Sequence, residues 1–334
     1  MVVRTLDIFC GGGGGSYGAQ AGGAKIVCGI DLDSVATAIY KHNFPKTTVR
    51  TSRLENIRPN KLRDQIGDID LLLASPECTN HTWAKGSAPR SEASRATAMQ
   101  TIRFAKAFQP RWVVLENVTH MRPWSRYGEL IETLGNIGYN LKEFVLDASN
   151  FGVGQKRKRL FIVADKVGEP TDISAPKKAK APTVESLLDK SGTWKTTPLY
   201  KDGRAEATIA RAERGFDALG CETPFLLVYY GSDGSGGWQR IDRPLRTITT
   251  VDRFALVEPG DDGHRMRMLQ VPELRRAMGF KNDFKLDHGT RRDRIRILGN
   301  GVCPPVMKAV VESLISRPQI EATTTNLILK LYAR

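Results

Sequence analysis

The stretch Asp7-Ile8-Phe9-Cys10-Gly11-Gly12-Gly13-Gly14-Gly15-Ser16-Tyr17-Gly18 decides the fold prediction. Its glycine run follows a strand-like segment and opens a helix-like one, which lets a ligand approach bare backbone N–H groups at a helix start. Asp31 ends the next strand-like segment, where an acid accepts hydrogen bonds from a ribose. The alternative, a flexible linker, is disfavoured because the run lies between periodic elements. We therefore predict a site for an adenosyl cofactor, whose kind the pattern leaves open.

Strand-like and helix-like segments alternate through the N-terminal half of the chain. The strand-like segments are 2–9, 25–30, 69–74, 111–115, 141–146 and 160–164, and the helical ones are 33–42 and 92–108. This alternation predicts an α/β fold, a twisted sheet with helices on both faces. From about residue 168 short pieces containing proline and lysine replace the pattern, and a helix over 306–315 resumes it. We predict a main domain of residues 1–167 and 291–334 and a smaller inserted domain of residues 168–290.

The charge balance of the 334-residue chain restricts its partners. Lys and Arg outnumber Asp and Glu by 50 to 36, a net charge of +14 that favours a polyanion such as nucleic acid, although an anionic membrane surface would also suit it. No stretch approaches the roughly 18 apolar residues of a spanning helix. The first strand begins too early to leave room for a secretory signal, so we expect a cytoplasmic protein. The five cysteines and five histidines show no metal-site or disulfide spacing, and no metal is expected.

Two strand-like segments end in groups that can do chemistry. Cys78 follows the segment 69–74, and Glu116 ends the next one. Because the carboxyl ends of parallel strands meet at one edge of a sheet, the thiol and the acid converge there, which suggests covalent catalysis. Seen alone, Glu116 is as readily a solvated carboxylate, and the basic run 156–159 as readily an exposed charged face.

Five motifs in this order resemble those of the C5-cytosine methyltransferase family. They are Asp7 to Gly14, Glu77-Cys78, Glu116-Asn117-Val118, Gln155-Lys156-Arg157-Lys158-Arg159 and Gly299-Asn300-Gly301-Val302. Any one motif is weak, but five in order over nearly the whole chain are specific. The resemblance implies a Rossmann-like methyltransferase sheet with an inserted target-recognition domain. It also implies S-adenosyl-L-methionine as the cofactor and S-adenosyl-L-homocysteine as the product.

The resemblance also implies roles for single residues. Cys78 would add to C6 of cytosine, Glu116 would hydrogen-bond to the ring N3, and Arg159 would contact O2 and steady Glu116. Arg157 is grouped with these catalytic residues and would bind nearby backbone or phosphate. The residues expected at the cofactor are Asp7, Phe9, Gly11, Gly13, Gly14, Asp31, Leu32, Leu54, Asn300 and Val302.

A polynucleotide substrate is expected because a stacked base hides its C6 face from a thiol, so the family flips the base out of the duplex. Gln155, Trp238, Arg240 and Arg246 are the candidate DNA contacts. The segment 231–240 is also readable as a plain glycine-rich turn. The expected substrate is double-stranded DNA, bound by a monomer with a cognate restriction endonuclease as a candidate partner.

Four positions depart from the family pattern. Glu77 replaces a proline, Thr79 a glutamine and Gly301 a serine, and Arg53 stands where an aspartate often contacts the adenine. A carboxylate beside the thiol would raise the thiol pKa, so we expect Glu77 to turn away or pair with a basic residue.

Three rival functions stay open from the sequence. One is an RNA cytosine-5 methyltransferase with the same chemistry, because the flipped base would be the same. Another is a catalytically silent nucleic-acid-binding protein, which Glu77 makes plausible. A nicotinamide-dependent oxidoreductase is the remote third, based on the glycine loop alone.

Overall fold

The computed structural model describes residues 2–77, 91–230 and 236–316. The strands of its main sheet are β1 Val3–Ile8, β2 Ala24–Asp31, β3 Thr48–Thr51, β4 Leu71–Ala74, β5 Trp112–Asn117, β6 Asn140–Asp147 and β7 Lys158–Asp165. In the described part of the chain these strands lie in the order β3-β2-β1-β4-β5-β7-β6. Strands β1 to β5 pair in parallel, whereas β7 is antiparallel to both β5 and β6.

Helices cover both faces of the main sheet. Along the whole described part of the chain, the α-helices are α1 Gly14–Ala21, α2 Ser34–Asn43, α3 Pro59–Ile66, α4 Glu92–Arg95, α5 Gln100–Phe108, α6 Tyr127–Asn136, α7 Val184–Leu187, α8 Glu206–Leu219, α9 Val271–Ala277, α10 Arg291–Asn300 and α11 Pro304–Ile315. Side chains of α1, α2 and α11 share one buried cluster, and those of α3, α5 and α6 share the other. The predicted α/β class with helices on both faces is confirmed.

Strand β4 shows why its sequence is an unbroken apolar run. Leu71 and Leu73 belong to one buried cluster, and Leu72 and Ala74 to the other. Successive side chains of a strand point to opposite faces, so a strand covered on both faces must be apolar at every position.

A second, antiparallel sheet follows the main one in the chain. Its strands are β8 Thr197–Pro198, β9 Phe225–Val228, β10 Trp238–Arg240, β11 Phe254–Glu258 and β12 Arg265–Met268. They lie in the order β10-β9-β11-β12-β8 among the described residues. Helix α8 packs on this sheet where Phe216 meets Phe225 edge-on, with ring centroids 5.3 Å apart. The second sheet therefore has its own small apolar core.

The chain returns to the main sheet after β12. Arg267 and Glu273 form a buried ion pair of 2.7 Å that joins β12 to α9. Further along, the ring of Phe284 meets that of Tyr17 on α1 at 5.2 Å. The part of the predicted insert beyond Met268 thus packs against the main domain, and the boundaries 168 and 290 stay a prediction. Along the described ranges, no helix is both long and apolar enough to span a bilayer.

Candidate active site

The glycine loop leaves β1 and enters α1 through backbone that favours glycine. Gly11 and Gly13 have positive φ angles of 51° and 98°. A Cβ added at Gly14 would lie 2.4 Å from the carbonyl oxygen of Val302, in the turn between α10 and α11. Only glycine allows this approach of two backbones. The N-terminal loop and the C-terminal motif therefore form one surface.

The carboxylate of Asp31 holds the glycine loop in place. One of its oxygens accepts a hydrogen bond of 2.8 Å from the Gly11 amide, and the other accepts one of 2.9 Å from the Asp33 amide. Burial raises the pKa of Asp31, while these amide hydrogen bonds oppose the rise. Asp31 therefore presents a backbone-anchored acid at the carboxyl end of β2.

Asp7 lies beneath the loop in a buried chain of hydroxyl groups. The Ser16 hydroxyl donates to Asp7 at 2.7 Å and lies 2.6 Å from the Tyr40 hydroxyl. Burial raises the pKa of Asp7 to about 7, although the Ser16 hydrogen bond lowers it. The Asp7 carboxyl is therefore close to half-protonated near neutral pH.

A cavity of about 730 Å³ opens above the loop. Nine of the ten residues expected at the cofactor line it, namely Asp7, Phe9, Gly11, Gly14, Asp31, Leu32, Leu54, Asn300 and Val302. Gly13 instead faces the core, where an added Cβ would meet the Phe44 ring at 2.6 Å. Leu32 is 64% exposed, so its side chain presents an apolar surface at the cavity wall. Arg53 also lines the cavity.

Glu116 and Arg159 meet in the same cavity. Arg159 Nε lies 3.3 Å from Glu116 Oε1, and the side chains are only 15% and 7% exposed. Burial raises the pKa of Glu116, and the charges of Arg159 and Arg157 oppose that rise. The site therefore holds a desolvated carboxyl group beside a guanidinium.

The segment before Cys78 reaches the same place. The side-chain amide of Asn117 donates to the carbonyl oxygen of Pro76 at 3.2 Å, which ties the end of β5 to residues 75–77. Cys78 itself lies outside the described residues. Glu77 lines the cavity and accepts a 2.7 Å hydrogen bond from the Ser94 hydroxyl. Among the described residues this partner is a neutral hydroxyl, and the expectation that Glu77 turns away or pairs with a basic residue stays a prediction.

Arg157, in the motif Gln155 to Arg159, has a structural role and is not exposed. Arg157 is buried and donates to the carbonyl oxygens of Ile248 at 3.1 Å, Gly299 at 2.7 Å and Gly301 at 3.0 Å. Of the two partners expected for Arg157, backbone and phosphate, it binds backbone. It is not among the residues that line the cavity. Through these carbonyls it holds the turn that presents Asn300.

Gln155 requires a correction to its expected role as a DNA contact. Its side chain is fully buried, with Oε1 accepting a 3.1 Å hydrogen bond from the Ile248 amide. A side chain enclosed in this way cannot reach a duplex. Gln155 instead fixes the segment after Leu245 against the chain ahead of β7, and its backbone also forms a bridge with Leu245.

The other DNA-contact candidates lie in the second sheet or between two of its strands. Arg240 is exposed on edge strand β10 and binds Asp242 at 2.6 Å. Trp238 is half-buried against the small core, and Arg246 is half-buried in the segment between β10 and β11. Residues 231–235 of the expected recognition loop lie outside the described ranges.

Sequence reasoning missed one wall of the cavity. Phe280, Phe284 and Leu286 line it from the segment between α9 and α10, and Arg296 lines it from α10, where it pairs with Asp33. The four-residue spacing of the two phenylalanines was a signal for a shared face, but nothing in the sequence relates that face to the glycine loop.

The model of the C-5 cytosine-specific DNA methylase family matches residues 3–316. The chain belongs to this family. The predicted resemblance is therefore confirmed. Within the family, the chain is similar to the type II methyltransferase M.DdeI of Desulfomicrobium norvegicum, with 29% identity over 50% of this chain and 42% of the relative. It is equally similar to the human tRNA (cytosine(38)-C(5))-methyltransferase, with 28% identity over 55% of this chain and 48% of the relative.

The matched part of this family member spans about half the length of those two relatives, 42% and 48%. Among solved structures, Spodoptera frugiperda DNMT2 superimposes with a TM-score of 0.68, covering 94% of this chain and 100% of the other at 16% identity. That likeness confirms the Rossmann-like methyltransferase fold.

Proposed function

We propose that this protein transfers a methyl group from S-adenosyl-L-methionine to C5 of a cytosine in double-stranded DNA, through a covalent adduct between Cys78 and C6. One observation carries the proposal. The Glu116–Arg159 pair faces the same cavity as the glycine loop, with the segment that leads into Cys78 at its rim. An acid, a cofactor surface and the segment that precedes the proposed nucleophile thus support the proposal at one edge of the sheet.

The cofactor half of the cavity fits an adenosyl group. The carboxyl of Asp31 suits ribose hydroxyls, and the exposed Leu32 side chain offers an apolar surface to an adenine ring. Bare backbone of the glycine loop suits the polar methionyl end. The cofactor would supply an electrophilic methyl group.

The acid half of the cavity fits the activation of cytosine. Burial favours the protonated form of Glu116, which would donate a hydrogen bond to N3 as the Cys78 thiolate adds to C6. The electron pair of the C5–C6 bond then becomes nucleophilic at C5 and takes the methyl group. Loss of the C5 proton to a base restores the double bond and expels the thiolate. Arg159 keeps the carboxyl oriented throughout.

DNA is the substrate that this proposal favours. The net charge of +14 and the second sheet, with Arg240 exposed at its edge, suit a long polyanion held beside the cavity. RNA is the second candidate, and the observation that favours it is the tRNA methyltransferase among the relatives. We also include in the proposal a monomeric cytoplasmic enzyme with a cognate restriction endonuclease as its partner.

A covalent trap separates the two substrates. A cytosine that carries fluorine at C5 has no proton there for a base to remove. The Cys78 adduct would therefore persist after methyl transfer. We would mix the protein and labelled cofactor with 5-fluorocytosine duplex DNA or with tRNA containing the same base, and run denaturing gels. A labelled adduct with DNA that Cys78→Ser abolishes is the expected result. An adduct with tRNA alone identifies the RNA enzyme, and no adduct with either rejects methylation by this route.

A further inference from the structure

Three side chains far apart in sequence meet on the surface beside the cavity wall. They are His42 at the end of α2, and Asp287 and His288 ahead of α10. All three are about half exposed, at 44%, 50% and 48% of their side-chain surface. Each offers one ligand atom, and the three ligand atoms lie within 4.8 Å of one another. They are distinct from every residue that lines the cavity.

The spacing of these atoms is that of ligands around one metal ion. Two ligands bound to a tetrahedral zinc ion at about 2.1 Å lie about 3.4 Å apart. His42 Nδ1 lies 3.1 Å from Asp287 Oδ1, and His288 Nε2 lies 3.8 Å from the same oxygen. These two distances bracket the required one, and all three ligand atoms lie within 4.8 Å of one another, so side-chain adjustments of about an ångström bring them onto one ion.

The backbone that carries the ligands is already held in place. The Arg294 guanidinium donates hydrogen bonds to the carbonyl oxygens of Asp287 at 3.0 Å and His288 at 3.3 Å. Across the site, the Asn43 side chain pairs with both backbone groups of Lys285, at 2.9 and 2.8 Å. Little backbone conformational entropy therefore remains to be lost when a metal ion binds.

The donor set selects the class of metal. Two imidazoles and one carboxylate suit borderline divalent ions such as Zn²⁺, whereas Mg²⁺ and Ca²⁺ prefer oxygen ligands. The half-exposed position leaves room for water as a fourth ligand. Nearby positive charges on Lys285 and Arg294 weaken the attraction, so a micromolar rather than a nanomolar site is expected.

We propose that His42, Asp287 and His288 form a binding site for a divalent transition-metal ion, with Zn²⁺ as the probe. The bound ion would cross-link α2 to the segment 284–288. The inner side of that segment carries Phe284 and Leu286, which line the cavity, and Ala36 of α2 lines it from the other side. This cross-link has a structural role and takes no part in the methyl transfer proposed above.

The test is calorimetric titration of the full chain with zinc chloride. Thiols also bind zinc, so all proteins carry Cys78→Ser and Cys221→Ser, which remove the proposed nucleophile and an exposed thiol. We expect one ion per chain, with affinity lowered about tenfold or more in His42→Ala and in His288→Ala. The control is His264→Ala, which removes a histidine outside the proposed site and should leave the zinc affinity unaltered. At about a hundred times the dissociation constant, zinc should raise the Tm of the parent protein by about 4 °C, and not that of His42→Ala.

Two results of the calorimetric titration would overturn the proposal. One is the absence of stoichiometric zinc binding to the parent protein. The other is equal affinity in the parent, His42→Ala and His288→Ala, which would leave a plain His–Asp ion pair. Co²⁺ provides a readout that needs no variant to fold, because imidazole-bound Co²⁺ in a four-coordinate site gives visible absorption that Zn²⁺ displaces. Absence of that absorption in the parent also counts against the site.

Discussion

Arg159 Nε lies 3.3 Å from Oε1 of the buried Glu116 in the cavity beneath which the glycine loop runs. The two residues come from adjacent antiparallel strands, β5 and β7. Burial favours the protonated form of this carboxyl although the charge of Arg159 opposes it, and the guanidinium holds the group in one orientation. The proposed activation of a pyrimidine ring at N3 uses both properties.

Replacing Glu116 by Gln should remove the acid while keeping the shape of the side chain. We expect single-turnover methyl transfer to fall by about 10²-fold or more, because proton donation contributes that much in comparable reactions. Cofactor affinity, measured by calorimetry, should change less than about threefold, since the cofactor lies on the glycine-loop side of the cavity. A variant that loses cofactor binding and methyl transfer together would contradict the division of roles.

Replacing Gly14 by Ala should block the cofactor surface. The new Cβ would lie 2.4 Å from the Val302 carbonyl oxygen, so the loop and the turn at 299–302 must separate. We expect cofactor binding to weaken by at least about tenfold, with a stability loss of about 1–3 kcal/mol from overpacking. Gly128→Ala on α6 is the matched control, because nothing lies within 4 Å of its added Cβ. That change should leave cofactor affinity unaltered.

Asp7 should make stability fall as the pH rises. Its pKa in the folded chain is about 7 against 3.8 when exposed, so between these values the folded chain binds the proton that the unfolded chain has lost. The free energy of unfolding should therefore decrease by up to about 4 kcal/mol from this group as the pH goes from about 4 to about 7. Urea unfolding of cofactor-free wild type and Asp7→Asn checks it. A difference between the two proteins that does not change with pH would refute the assignment.

Glu273→Ala should destabilise the junction between the second sheet and α9. The carboxylate binds Arg267 at 2.7 and 2.8 Å and accepts from the Gln270 and Asp189 amides. Removing it leaves a buried guanidinium without its charge partner, at a cost of about 3–5 kcal/mol. The exposed pair Lys308–Glu312 is the control, and Glu312→Ala should cost less than about 1 kcal/mol. Chemical denaturation measures both.

Arg240→Ala should weaken duplex binding without touching the cavity. The variant loses an exposed cation and leaves Asp242 with only the more distant Arg243, at 4.0 Å, and both changes disfavour a polyanion. We expect the slope of log affinity against log salt to fall by about one. Arg126→Ala at the N-cap of α6, whose side chain pairs with Glu129 in the same manner, is the control. If the two variants behave alike, β10 is not part of the DNA surface.

Local patterns determined much of the main domain. The run 69–74 was readable as a buried strand because every position but Asp70 is apolar, and β4 spans the unbroken part, Leu71–Ala74. The helical pattern over 92–108 becomes α4, a tight turn and α5. The short strand β3, with two threonines and an arginine, carries no apolar alternation and went unpredicted. Motif order was enough for the family, since each motif is a contiguous string.

The roles of the basic motif needed the tertiary structure. Gln155 and Arg157 look like surface charge and polarity in a run of lysines, yet both are buried. Their partners, the carbonyl oxygens and amides of residues 248 and 299–301, lie about 90 to 145 positions away. No local pattern encodes which backbone group will stand opposite a side chain at that separation.

The sequence by itself determined the α/β class, the family and the motif residues of the cavity, because those follow from hydrophobic period and from short strings whose chemistry is local. Only the tertiary structure decided which residues complete the cavity wall and which meet beside it. Phe284 reaches Tyr17, and Asp287 reaches His42 across 245 positions, after two sheets have packed. Such contacts depend on how the elements pack in three dimensions, which spacing along the chain does not express.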